Sequence, residues 1–377
     1  MLNDGSGYFL SHSIGQYPGK TADLAQAMAE FAAVWGAGND GQWAYALGRR
    51  AAFVAQWRAI INAPADTVTT CENVTSGLHA LMTALPDGAL RGKRVLVAAD
   101  CFPSNQFLLT GLAARMGFSL ETVPLRQGAA WVEDEDFIAN WGPDVGLALL
   151  TWVSSTSSHR IDLDALVAHG RRMGSLIGVD ITQAAGLLPF DARDPAVDFA
   201  LSTSLKWMCG TPGAGILHVA PALTAQCQPD NRGWFSQDNP FSWDLDKFAL
   251  APDIRRFDNG TPGTMAAAAS LPALDWHARQ DGAALLAHNR ALTAGIIEAA
   301  EDAGLPLMTP RPEAARGGSV MLRLADPATA QRQLQALRET DLHADVRGAT
   351  LSLSPGFVTT GDGTDRLIRA LQNWRHP

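Results

Sequence analysis

The sequence predicts an α/β protein: a mainly parallel sheet of seven strands covered by helices, with a smaller C-terminal α+β domain. Three observations carry this. Between residues 66 and 220, seven short apolar runs alternate with segments of helical length and period, as a parallel sheet buried on both faces requires. After Gly304 the texture changes to short strands and helices in close alternation. The chain has 377 residues, 47% hydrophobic and 18% charged, which suits a sizeable core divided over two or three lobes.

Taken in order, residues 43–62 read as an amphipathic helix ahead of the sheet. The strands are expected at residues 67–70, 95–99, 120–125, 145–153, 176–181, 199–204 and 213–220. Residues 264–304 are rich in Ala and Leu with Pro272 as their one proline, so one long, kinked helix leaving the core is expected there. Beyond it, strands are expected at 318–325, 343–346 and 350–354, with helices at 327–340 and 362–374. The expected division is a large domain over residues 15–263 and a small one built from 1–14 and 264–377, bridged by the long helix.

Composition narrows the function. With 29 Lys and Arg against 38 Asp and Glu, the net charge is −9, which offers no cationic footprint for a nucleic-acid backbone. The cysteines Cys71, Cys101, Cys209 and Cys227 are widely spaced, without a CxxC pair or a nearby His cluster, so neither a zinc site nor a disulfide framework is expected. Reduced thiols in a cytoplasmic, soluble protein are the expectation. The opening MLNDGSGYFLSHSIG lacks a basic stretch followed by an apolar one, and no run of about eighteen apolar residues occurs.

Two segments point to chemistry. In LIGVDITQAAG, residues 176–186, an apolar strand ends in Asp180 and turns into small residues; ligands of open α/β sheets bind beyond such carboxyl ends. Alone, Asp180 reads equally well as a helix N-cap. One strand later, DFALSTSLKWMCGTPGAG at residues 198–215 places Lys206 at the close of a strand of apolar and hydroxyl residues, before a Gly/Pro turn. Burial there would lower the amine's proton affinity and free its lone pair. With an acid one strand away, a Schiff-base lysine is the better reading.

At these residues the chain resembles the class V aminotransferase family of pyridoxal-phosphate enzymes, and within it the kynureninase-like branch. The resemblance extends from YFLSHSIG at residues 8–15 into the C-terminal domain. It implies the fold type I architecture of PLP-dependent transferases, with Lys206 joined to pyridoxal 5'-phosphate, Asp180 on the pyridinium nitrogen and Gln183 near the phenolic oxygen. It also implies that NVTSGLHALM at residues 73–82 cradles the phosphate through the N–H groups of Val74 and Thr75 and the Thr75 hydroxyl at a helix N-terminus. Thr75 or Ser76 reads equally as a plain N-cap. The resemblance further implies Phe102, in DCFPSN at 100–105, stacked on the ring, and Thr203 beside the cofactor. A homodimer with shared sites follows, in which Trp234 and Gln237 line the substrate pocket and Thr261 reaches the partner's phosphate.

The chain departs from that pattern at four places. Leu205 replaces the usual tyrosine before the lysine, Asn105 an acid, and Ser236-Gln237 a Gly-His pair. Ser352 stands where an arginine for the substrate carboxylate is expected, and a hydroxyl cannot form that bidentate ion pair. The expected substrate is therefore an amino acid or amine whose carboxylate is lacking or is held by another cation, Arg347 or Arg256, against an aromatic wall near Trp234 and Trp243. Transamination is the expected reaction, with kynureninase-like hydrolysis or carbon–carbon lysis as the alternative and a catalytically silent binding subunit as the second. The pairing of Lys206 with Asp180 argues against the last, and the absence of a cysteine after Cys227 argues against a desulfurase. No metal or membrane contact is expected.

Overall fold

The computed structural model describes residues 5–374; the first four and last three residues, which the expected small domain includes, lie outside the described residues. Helices α1 (Lys20–Trp35) and α2 (Gln42–Ile60) precede β1 (Val68–Cys71), α3 (Val74–Ala84), β2 (Arg94–Ala98), α4 (Pro103–Met116) and β3 (Ser119–Val123). Next come α5 (Asp134–Ala139), β4 (Val145–Thr151), α6 (Leu163–Met173), β5 (Leu176–Asp180), β6 (Phe199–Thr203), β7 (Gly215–Val219) and the single turn α7 (Pro221–Thr224). The C-terminal part holds α8 (Met265–Ala278), α9 (Gly282–Asp302), β8 (Val320–Arg323), α10 (Pro327–Glu339), β9 (Asp345–Arg347), β10 (Thr350–Leu353) and α11 (Gly361–Gln372).

The seven strands β1 to β7 form one sheet in the order β1-β7-β6-β5-β4-β2-β3. β7 alone runs antiparallel, to β1 on one side and β6 on the other; the other pairings are parallel. Period-two alternation along the strands divides their side chains between two cores. Ala148, Leu150, Ile177, Val179 and Ala200 join one cluster, Leu147, Leu149, Phe199 and Leu201 the other. Both faces are covered, which is why the sequence shows unbroken apolar runs. Gly178 belongs to this packing, since a Cβ there would lie 2.0 Å from the Phe199 ring.

A second, antiparallel sheet has the order β8-β10-β9. Its core gathers Val320, Leu322, Leu351 and Leu353 with Ile296 and Ile297 of α9, Leu334 of α10 and Leu367 of α11. Phe9 inserts into the same core, and single parallel bridges join Tyr8 to His343 and Leu10 to Ser354. The N-terminal segment thus belongs with the small sheet before it crosses to the large one.

Two expectations need correction. The long helix is two helices: Pro272 sits inside α8, and the break falls at residues 279–281. Seven buried residues of α8 offset the local cost of the proline. The break is set instead by Asp281, whose side chain accepts from the Ala283 N–H at 2.9 Å as the N-cap of α9. Lys206 does not close β6, which ends at Thr203; the lysine lies three residues on, in a bend. Among the described residues no helix is long and apolar enough to cross a membrane.

Candidate active site

The bend after β6 is fixed from three sides. Ser204 Oγ donates to the Ala214 carbonyl at 2.6 Å and accepts from Trp57 Nε1 at 3.0 Å. The Gly210 N–H donates to the Ser204 carbonyl, and the Cys209 N–H to the Lys206 carbonyl, each at 2.7 Å. The N-terminal segment closes the third side. Gly15 N–H donates to the Leu205 carbonyl at 2.8 Å, and a Cβ at Gly15 would lie 1.8 Å from the Lys206 carbonyl oxygen. Only glycine allows this approach.

Lys206 projects into a cavity of about 820 Å³ over the carboxyl ends of β4, β5 and β6, where open α/β sheets bind ligands. Its Nζ lies 5.2 Å from the centre of the Phe102 ring, within cation–π range. Burial pushes the amine down to about 8, with Asp180 opposing the shift and Arg347 adding to it. Asp180, at the end of β5, is buried; its Oδ1 accepts from the Thr182 N–H at 3.0 Å and its Oδ2 from Asn105 Nδ2 at 3.2 Å.

Across the cavity, α3 begins with a reciprocal cap. Asn73 Oδ1 accepts from the Ser76 N–H at 2.9 Å, and Ser76 Oγ accepts from the Asn73 N–H at 3.1 Å. Asn73 is therefore the N-cap, which corrects the reading of Thr75 or Ser76 in that place. The cap leaves the N–H groups of Val74 and Thr75, in the cavity wall, without an acceptor among the described residues. Gln183 lines the cavity with its amide braced at both ends: Nε2 donates to the His12 carbonyl at 3.2 Å and Oε1 accepts from Trp207 Nε1 at 3.3 Å.

Lys206, Asp180, Gln183, Val74, Thr75, Phe102 and Thr203 therefore meet around one cavity. The other predicted site residues do not line it within this chain. Thr261 is exposed beside a second cavity of about 330 Å³ with Arg50 and Asp258. Trp234 packs edge-on against Trp43, Phe235 and Phe241, and Gln237 bridges to Leu250. Ser352 is buried in β10 between Met321 and Asp345. Arg256 is corrected as a carboxylate holder: its buried guanidinium donates to the carbonyls of Ala251, Thr224 and Cys227 at 3.0, 2.6 and 2.9 Å. Arg347 is exposed, with Nε 3.5 Å from Asp345 Oδ2. That carboxylate also lies 3.6 Å from Nε2 of buried His12, whose imidazole is pushed below its usual range by burial.

Sequence reasoning missed Thr151, Ser155 and Thr182, which also line the cavity. The signal was available for Thr151, a hydroxyl at the carboxyl end of a central strand, but not for the loop residues. The hydroxyls of Thr151, Ser155, Thr182 and Thr203 and Asn105 Oδ1 are buried with no partner among the described residues. Five such atoms in one wall fit a polar ligand that satisfies them. With an amine, a carboxylate, an aromatic ring and helix N–H donors beside them, the donor set suits pyridoxal phosphate. The four thiols are all pushed up by burial, Cys71, Cys101 and Cys209 to about 12 and Cys227 to about 11, and none lines this cavity.

The family model for class-V aminotransferases (Aminotransferase class-V) matches residues 50–348. This chain belongs to the class-V aminotransferase family. It is a pyridoxal-phosphate-dependent enzyme of that family. Among curated relatives, the kynureninase of Deinococcus radiodurans is 30% identical over 283 residues, covering 72% of this chain and 66% of that protein, just under two thirds of its length. The Pseudomonas fluorescens kynureninase is 27% identical over 85% of this chain and 77% of its own. The isopenicillin N epimerase of Streptomyces clavuligerus is 27% identical over 79% and 78%. Among solved structures, the cystine C–S lyase C-DES with its product cysteine persulfide superposes with a TM-score of 0.86 at 19% identity, over 98% and 97% of the two chains. The Escherichia coli cysteine desulfurase CsdA gives 0.83 at 18%, over 99% and 95%. These likenesses establish the type I fold of the class-V family member, seven-stranded sheet and small second sheet included.

Proposed function

We propose that this class-V enzyme transfers the amino group of a small amino compound, with Lys206 as the catalytic base. Lys206 would hold pyridoxal phosphate through its amine, Asp180 would meet the ring nitrogen, and Gln183 the phenolic oxygen. Val74, Thr75 and Thr203 would take polar contacts to the cofactor and Phe102 would cover the ring, with Thr261 contributed from a second copy. When bound, the cofactor supplies the electron sink that makes a C–H bond next to the amine acidic. A neutral amine at Lys206 Nζ can then take that proton and return it to a neighbouring carbon. Burial, by moving the amine to about 8, leaves an appreciable neutral fraction near neutral pH.

The observation that carries the reading is the sparseness of the cavity's titratable groups: among the described residues lining it they are His79, Asp180 and Lys206. Amino-group transfer needs one base that serves two carbons, and Lys206 supplies it. Transfer of a sulfur atom onto the protein itself, as an enzyme-bound persulfide, would need a reactive thiolate, which this cavity lacks among its described residues. The identity to kynureninases favours a second reading, hydrolytic carbon–carbon cleavage, which would draw a water-activating group from elsewhere in a dimer.

On the substrate side, Arg347 is the cation we assign to a carboxylate, because Arg256 is committed to backbone carbonyls and Ser352 is neutral. The test is product analysis with a panel of amino acids and amines and no acceptor. Amino-group transfer releases about one carbonyl product per site and turns over further only when a 2-oxo acid is added. Continuous release of a carbon–carbon cleavage product without acceptor overturns it in favour of the second reading.

A further inference from the structure

Asn105 is wholly buried in the first turn of α4, where its N–H donates to the Phe102 carbonyl at 2.9 Å. Its side chain has one partner among the described residues, Asp180, reached by Nδ2 at 3.2 Å, while Oδ1 has none. Turning the amide over would set Oδ1 against the carboxylate, two negative ends in contact, so the amide's orientation follows from Asp180. A buried amide with an unsatisfied oxygen packs less favourably than an apolar residue of similar size, so its packing alone does not account for it. The contact to Asp180 does, with Oδ1 left for what fills the cavity that Asn105 lines.

We propose that Asn105 is a positioning residue for Asp180: with the Thr182 N–H on the other oxygen it fixes the plane of the carboxylate. Being neutral, it also leaves a single negative charge at that end of the cavity. This rests on the reading of Asp180 as the partner of the cofactor's ring nitrogen. An aspartate at 105 would place two carboxylates in contact, and such pairs share one proton and titrate together, one of them far above the usual carboxylate range. A leucine would remove the donor and leave the shape.

The test uses holoenzyme of the native protein, Asn105→Asp and Asn105→Leu, with Asp180→Asn as reference. Two quantities are read: the dissociation constant of pyridoxal phosphate, and the pH dependence of the bound cofactor's visible band between about pH 5 and 9. Asn105→Leu is expected to raise the dissociation constant about ten- to hundredfold, as for loss of a hydrogen bond to a charged group. Asn105→Asp, which differs from the native residue by one group and folds even if the leucine variant does not, is expected to add a pH-dependent step to the band that native enzyme lacks. Native dissociation constants and native pH profiles in both variants overturn the proposal. Equal, pH-independent weakening in both variants also overturns it, since that is the signature of packing alone. If Asp180→Asn keeps full turnover, the reading of Asp180 has failed instead; if it loses turnover while both Asn105 variants behave as native, only this inference has failed.

Discussion

The carboxyl end of the large sheet and the edge of the small sheet hold their candidate site residues with different degrees of constraint. At the large sheet, Asp180 holds two N–H donors, Gln183 is braced at both ends, and the bend that carries Lys206 is tied by Ser204, Gly210 and Gly15. At the small sheet, Arg347 is exposed and has one loose ion pair, at 3.5 Å, to a carboxylate that also faces His12. Bond making to a cofactor requires atoms held within tenths of an ångström. A long cation that closes on a substrate carboxylate gains from freedom to move. Under the proposed function the rigid end would hold the cofactor and the loose end the substrate carboxylate.

The largest expected effect comes from the rigid end. Lys206→Ala should leave the fold intact and lower turnover by about 10⁴-fold or more, since it removes both the covalent hold and the base; cofactor then washes out on gel filtration. Asp180→Asn should still take up cofactor at saturating concentration, with a dissociation constant raised at least as much as in Asn105→Leu, and lower turnover by about 10²-fold, because an amide cannot neutralise a protonated ring nitrogen. Turnover measured at saturating cofactor checks this, and rates within a factor of about two of native would place the chemistry elsewhere.

The two arginines sharpen the contrast. Arg347→Ala should raise KM for a carboxylated substrate about tenfold, the size of a lost charge-assisted contact, and leave KM for the matching decarboxylated amine unchanged. Arg256→Ala should do the reverse: it leaves three carbonyls without their donor and should lower stability by about 2–4 kcal/mol in a denaturant titration, with KM unchanged. The smallest effect concerns pH. Lys206 must be neutral to attack the cofactor, so recovery of the visible band by cofactor-stripped enzyme should rise with pH, half-maximal near the amine's value of about 8. Arg347→Ala removes a cation that pushes this amine down, so the midpoint should move upward, by less than about one pH unit.

Much of the rigid end was legible in the sequence because strand ends are. Each of the seven apolar runs became a strand, and the Asp180 and Lys206 segments follow successive strands at the sheet's carboxyl edge. What was not legible depended on contacts between distant residues. The reversal of β7 is set by its pairing with β1 and β6, and nothing in the run 215–219 announces direction. The displacement of Lys206 beyond β6 arises from Trp57, Ala214 and Gly15, each remote in sequence. Pro272 suggested a kink where burial kept the helix whole, and Asp281 ended it instead. Asn105 was visible as a departure from the family pattern, but its bond to Asp180 joins α4 to β5 across 75 residues. Arg256 and Arg347 were equal candidates as sequence; the carbonyls around the Arg256 guanidinium, beside the large sheet, separated them.

The proposed function stands on Lys206 as the residue that holds the cofactor. The sequence contains four lysines, Lys20, Lys93, Lys206 and Lys247, so chemical mapping decides it cleanly. Holoenzyme is reduced with borohydride, digested, and its peptides are analysed by mass spectrometry for a reduced pyridoxyl phosphate adduct. The adduct is expected on the peptide carrying Lys206, at close to one per chain, and on none of the other three. An adduct on Lys20, Lys93 or Lys247, or a reduced holoenzyme with no adduct at all, would contradict it.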